Sequence, residues 1–161
     1  MEKESDLENL KKDYKEIQER YELPGFTEIN KDFHIEKIAE TETDFLIREI
    51  RKFMADRFSN YLRFVEALIN PQNAPMFVFS IVKSIGQQEK TKLTEIYKKL
   101  AKIEVDIIEL DIQFAEEKES DFIKTSYKIW QEIKKDILEI LGTIKKNWNN
   151  KGEVNGKGYF G

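Results

Sequence analysis

Cysteine is absent from this sequence of 161 residues, and histidine occurs only once, at position 34. Without cysteine there is no disulfide, no thiolate nucleophile and no cysteine-ligated zinc site. A single histidine also excludes any catalytic or metal site that needs two imidazole side chains. The chemistry left to the chain is that of carboxylates, amines, hydroxyls and guanidinium groups.

Glycine and proline are also scarce, with seven and three residues. A multi-stranded sheet needs many turns, and these residues supply most turn conformations, so their scarcity argues against a sheet. The composition, 40% hydrophobic and 36% charged, is typical of amphipathic helices. We therefore predict an all-α fold with one helical-bundle domain over residues 1–148. A flexible tail is expected over residues 149–161, where four of the seven glycines lie.

Long apolar runs are missing as well. The most apolar stretch, residues 75–85, is shorter than the roughly 20 residues that a membrane-spanning helix needs. The start of the chain does not resemble a signal peptide, so we predict no membrane span and a cytoplasmic location. The net charge of −4 argues against nucleic acid as a partner. The tail from Lys145 onward, with four lysines against Glu153, leaves open a weak nucleic-acid accessory role.

The spacing of apolar residues predicts five helices. They extend over residues 5–22, 43–69, 73–86, 87–118 and 120–148. The first has an apolar seam only one residue wide, which is typical of a coiled-coil-like contact. The third is short and almost entirely apolar, and we expect it to plug one end of the bundle. The last two should form an antiparallel hairpin because their connection is short. The stretch 26–43 is less regular, and whether it is helical stays open.

The predicted helix over 87–118 carries two apolar rows. The first row comprises Ile96, Leu100, Ile103, Ile107, Leu110 and Phe114. The second row comprises Tyr97, Ala101, Val105, Ile108, Ile112 and Ala115. An outer helix needs one apolar face, so two rows predict that other helices or a second copy of the chain cover this helix twice. A strand would alternate apolar and polar residues, and the adjacent pair Ile107 and Ile108 breaks that pattern.

The most unusual placement is that of Arg57, near the centre of the apolar face of the helix over 43–69. A buried guanidinium is costly unless a carboxylate meets it. One interpretation is a bundle pocket in which Arg57 and Tyr61 hold a small anionic ligand. The other is an ion pair with Glu104 or Asp111, or an arginine whose charged end reaches water. These four residues are the predicted ligand-binding set.

No group of residues predicts catalysis. The sequence has no glycine-rich phosphate loop, nucleophile elbow or dinucleotide fingerprint. Glu104, Glu109 and Asp111 could supply an all-carboxylate metal site, but they point in different directions around one helix. His34 is interpreted as a partly exposed structural residue. We predict no catalytic residue, metal or cofactor, and a non-enzymatic interaction or scaffold protein that binds a protein partner or forms a homodimer. The alternative is a bundle that binds an anionic ligand around Arg57.

Overall fold

The computed structural model describes residues 2–155, and side chains from residue 3 to residue 148. Within this range the chain forms six α-helices and two short 3₁₀ segments, with no strand. The helices are α1 (Glu2–Tyr21), α2 (Phe26–Phe33), α3 (Leu46–Ile69), α4 (Met76–Val82), α5 (Gln87–Ile112) and α6 (Glu116–Asn155). Helices α3, α5 and α6 pack against one another. The prediction of an all-α antiparallel bundle with a helical hairpin is therefore confirmed.

The hairpin turns earlier than the sequence predicted. Helix α5 ends at Ile112 and α6 begins at Glu116, so the predicted boundary near residues 118–120 was wrong. Ser120, the predicted first residue of the second arm, lies inside α6, where its hydroxyl donates to the carbonyl of Glu117 at 2.7 Å. The turn has no glycine or proline to mark it. Helix α6 also continues beyond the predicted end at residue 148, and residues 156–161 of the predicted tail lie outside the described residues.

The packing of the chain divides into two compact units. The first comprises residues 1–60 and 102–130, and the second comprises residues 61–101 and 131–161. Helices α3, α5 and α6 each supply a segment to both units. The prediction of one domain over 1–148 stays a prediction.

In the first unit, the narrow seam of α1 packs as its spacing predicts. Leu10 and Tyr14 are buried. The Tyr14 hydroxyl donates a hydrogen bond to the carbonyl of Pro24, and its ring meets Phe26 edge-on at a centroid distance of 5.4 Å. This contact holds the chain as it leaves α1, so the stretch that follows is fixed against the unit's core.

The irregular stretch 26–43 contains α2 and a 3₁₀ segment, Ile35–Glu40. His34 separates them with a φ of 53°, and its backbone N–H donates to the carbonyl of Asn30 at 2.8 Å. Its side chain is exposed, while its neighbours Phe33 and Ile35 are buried. The left-handed residue thus ends α2 and redirects the chain with both apolar neighbours facing inward.

The second unit contains the parts of α5 and α6 that are farthest from the turn of the hairpin. Two ion pairs join its arms, Lys92 to Glu139 at 2.6 Å and Lys99 to Glu132 at 2.8 Å. Near the end of α6, the side-chain amide of Asn147 donates to a backbone carbonyl in the α4–α5 connection at 2.8 Å.

Helix α4 does not plug the bundle with its apolar residues, and that prediction was wrong. Val78 is the buried residue of α4. Met76 is 87% exposed, and Phe77 and Phe79 are also exposed. A helix of seven residues makes only two turns, so it can turn few of its side chains toward one packing surface.

Candidate functional site

The guanidinium of Arg51 in α3 is buried, with 1% of the residue exposed. Its Nε donates to Glu119 Oε2 at 2.7 Å, and its Nη1 donates to Asp111 Oδ1 at 2.7 Å. Glu119 lies in α6 and is fully buried, whereas Asp111, near the end of α5, is largely exposed. One guanidinium therefore joins three helices within the first unit.

Electrostatics explain why this arginine keeps its charge in the core. Burial would lower the pKa of Arg51, but hydrogen bonds from its guanidinium to Glu119 and Asp111, and the charges of both carboxylates, raise it instead. The planar group suits such directed contacts with carboxylates. Because its donors are directed at the chain's own carboxylates, Arg51 forms a structural centre and not a site for an external anion.

The predicted ligand set is not held together by shared contacts. Arg57 is only half-buried. The two carboxylates considered as its partners have other contacts: Asp111 pairs with Arg51, and Glu104 accepts a hydrogen bond from the Ser59 hydroxyl at 2.8 Å. Tyr61 belongs to the second unit. Binding of an anionic ligand by these residues stays a prediction.

Sequence reasoning missed Arg51, although a signal was present. Arg51 lies four residues after Ile47 and three before Met54, and the spacing continues to Phe58. All three of these apolar residues are buried. They mark the line of α3 that faces the core of the first unit, and Arg51 stands on that line while Arg57 stands beside it.

The second apolar row of α5 is bare in the first unit. Val105, Ile108 and Ile112 are 64%, 52% and 81% exposed. Of the two predicted alternatives, coverage by other helices or by a second copy, the first does not hold for these three residues. The flanks of α5 are occupied instead, because Glu104 bonds to α3 and Glu109 pairs with Lys118 of α6. Both neighbouring helices pack toward the first row and leave the second facing outward.

Two aromatic residues extend this bare row. Phe114 follows the end of α5, and Phe45 precedes α3; their rings meet edge-on at 5.6 Å, and both are partly exposed. The guanidinium of Arg48 lies 5.4 Å from the Phe114 ring centre. We call the surface formed by Phe45, Val105, Ile108, Ile112 and Phe114 the apolar ridge. It exposes on the order of 500 Å², since a large side chain has roughly 150–250 Å² of surface and about half of that surface is exposed at these five positions.

The ridge combines three branched apolar side chains with two phenylalanines, and Arg48 lies against one of these rings. Arg48 Nε is buried and has no hydrogen-bond partner among the described residues. Its guanidinium is thus held mainly by the aromatic ring, as in a cation–π contact.

The second unit has an open cavity of about 620 Å³. It lies where α3 ends and α4 begins, and its lining includes Arg63, Glu66, Asn70 and Tyr97. The volume suits a small molecule. Arg63 and Glu66 carry opposite charges in the same wall, so the cavity has little net attraction for an anion. Arg57 does not line it.

The described part of the chain contains neither a cluster of metal-binding side chains nor a membrane-spanning helix. No three His, Asp or Glu side chains there gather in a way that could hold a metal ion. No helix in that part combines the length and the apolar character needed to cross a bilayer. No family model, curated protein or solved structure matches this sequence.

Proposed function

We propose that this protein is a non-enzymatic interaction or scaffold protein that binds a protein partner through the apolar ridge. The observation that carries the proposal is the exposure of Val105, Ile108 and Ile112 along one side of a well-packed helix. Branched apolar side chains in contact with water, next to exposed aromatic rings, are typical of a surface that another protein covers.

The charges around the ridge support binding more than catalysis. Asp111 is held by Arg51, Glu104 by Ser59, and Glu109 by Lys118. A general acid or base must be within reach of a substrate and be poised to exchange a proton. Carboxylates engaged in this way instead fix the helices that present the ridge.

The test is quantitative affinity capture from cells that express the full chain as bait. Ile112→Asp places a charge in the ridge, and Leu138→Asp is the matched control, because Leu138 is an exposed leucine of α6 in the second unit. We expect the control to retain the proteins captured by the wild type and Ile112→Asp to lose them. Urea unfolding verifies that both variants remain folded. The same captured proteins for all three baits would refute the proposal.

A further inference from the structure

We infer that the partner of the ridge is a second copy of this chain, with the two α5 helices antiparallel about a two-fold axis. This inference rests on the proposed function, since it takes the ridge to be an interaction surface. It specifies the occupant, the direction of the helices and the register between them.

The spacing of the ridge fits a helix pair. Val105, Ile108 and Ile112 follow one another at intervals of three and four residues, which is the seam of a two-stranded coiled coil. In a two-fold contact the same surface must complement itself. With Val105 placed opposite Ile108 of the second copy, the symmetry places Ile108 opposite Val105, and a continuous apolar seam results.

Charge selects this register. Lys102 and Glu109 flank the same side of the seam and are seven residues apart. In the antiparallel register proposed, Lys102 of each copy lies beside Glu109 of the other, which gives two complementary pairs. A shift by one heptad would bring the two Glu109 side chains together, and also the two Asp111 side chains. Like charges at these flanking positions oppose pairing.

A parallel pair is disfavoured by the same charges. It would place Glu104 of one copy beside Glu109 of the other, and it would place Lys102 beside Tyr97, so that neither complementary pair forms. The antiparallel pair does bring Glu104 near Asp111 across its other flank. There, however, Arg51 offsets the charge of Asp111 at 2.7 Å, and the Ser59 hydroxyl donates to Glu104.

The exposed area sets the strength of the contact. Two ridges of on the order of 500 Å² can bury at most roughly 1,000 Å² in total, which is the lower limit for a specific interface. We therefore expect a dimer that dissociates on dilution and not an obligate one.

The first experiment uses the absence of cysteine from the chain, which makes an introduced thiol unique. A mixture of Val105→Cys and Ile108→Cys chains, one carrying a size tag, is oxidised mildly and separated without reductant. We expect the mixed disulfide to exceed both symmetric ones, because these positions are opposed. Ile112→Cys alone should form no disulfide-linked dimer, since eleven residues along the helix, about 16 Å at 1.5 Å per residue, separate the two thiols. Cross-linking of Ile112→Cys with itself would overturn the antiparallel register.

The second experiment is sedimentation equilibrium over a wide concentration range. The wild type and Leu138→Asp should dimerise equally, and Ile108→Asp should remain monomeric. Lys102→Glu and Glu109→Lys should each weaken the dimer roughly two- to tenfold, as expected for two exposed ion pairs. The double variant should restore it.

The failure of this inference is distinct from that of the proposed function. A monomeric wild type at every concentration overturns self-pairing, even if cellular capture still depends on Ile112. A double variant as weak as the single ones overturns the register.

Discussion

The two sides of α5 have similar apolar residues but opposite environments. Ile107 and Ile108 are neighbours in sequence, yet Ile107 is 6% exposed and Ile108 is 52% exposed. Helices α3 and α6 cover the first side, and no described residue of the first unit buries the second. The comparison teaches that apolar spacing identifies which faces avoid water, whereas the packing of neighbouring helices decides which of them are covered.

The largest effect should come from placing a charge on each side in turn. Ile107→Asp buries a carboxylate without a partner, and we expect it to lower the free energy of unfolding by about 4 kcal/mol or more. Ile108→Asp should change the stability of the monomer by less than about 0.5 kcal/mol. Urea unfolding followed by circular dichroism measures both. Equal losses would show that both sides of α5 are covered in the folded chain.

In the core that covers the first side of α5, a charged side chain should be stable only when an opposite charge pairs with it, as Glu119 pairs with Arg51. Glu119→Ala leaves the Arg51 guanidinium buried with Asp111 as its remaining carboxylate, and we expect a loss of about 3–5 kcal/mol. The matched control is Glu117→Ala, because Glu117 is an exposed residue of the same helix. If Glu119→Ala unfolds at the same urea concentration as this control, the Arg51 guanidinium is hydrated in the folded protein and not buried.

The seam of α1 buries a polar group, the hydroxyl of Tyr14. Burial raises the pKa of Tyr14, and the charges of Glu28 and Tyr127 raise it further. In the unfolded chain this hydroxyl ionises near pH 10, so its contribution to stability is complete below that pH and is lost as pH rises above it. Tyr14→Phe should cost about 1 kcal/mol near neutral pH, because the Pro24 carbonyl loses its donor.

The check on Tyr14 is urea unfolding on both sides of pH 10. The difference in stability between wild type and Tyr14→Phe should shrink as pH rises through this range. A difference that grows with pH would mean that the folded state prefers the ionised tyrosine.

The smallest effect concerns the bare side. Arg48→Gln removes the cation above Phe114, and we expect it to lower the stability of the monomer by about 0.5–1 kcal/mol. The chemical shifts of the Phe114 ring should change in nuclear magnetic resonance spectra, while those of buried Phe58 should not. Unchanged Phe114 shifts would mean that the guanidinium does not rest on this ring in solution.

Much of the fold follows from spacing alone. The seam of α1, the broad face of α3 and the first row of α5 each repeat at helical intervals, and those intervals need no knowledge of neighbours. The hairpin turn was misplaced because Phe114 and Ala115 carry no turn signal. Their conformation depends on contacts such as that with Phe45, which is distant in sequence.

The candidate site was less accessible to sequence reasoning. The choice of Arg57 over Arg51 came from averaging one apolar face over the whole of α3. Which face of α3 is buried changes along the helix, because at each turn it depends on the element that packs against that turn. Glu119, the main partner of Arg51, could not be identified because the predicted start of α6 lay beyond it. The exposure of Ile108 could not be predicted from the sequence either, since its spacing from other apolar residues is that of a buried residue.

The Arg51 centre also constrains how the chain assembles during synthesis. Arg51 precedes Asp111 by 60 residues and Glu119 by 68. When α3 has been synthesised, Asp111 and Glu119 have not, so the guanidinium of Arg51 must stay hydrated. The start of α6 must therefore be synthesised before α3 can dock in its final place, so residues 1–60 depend on the later synthesis of residues 102–130 to complete the first unit.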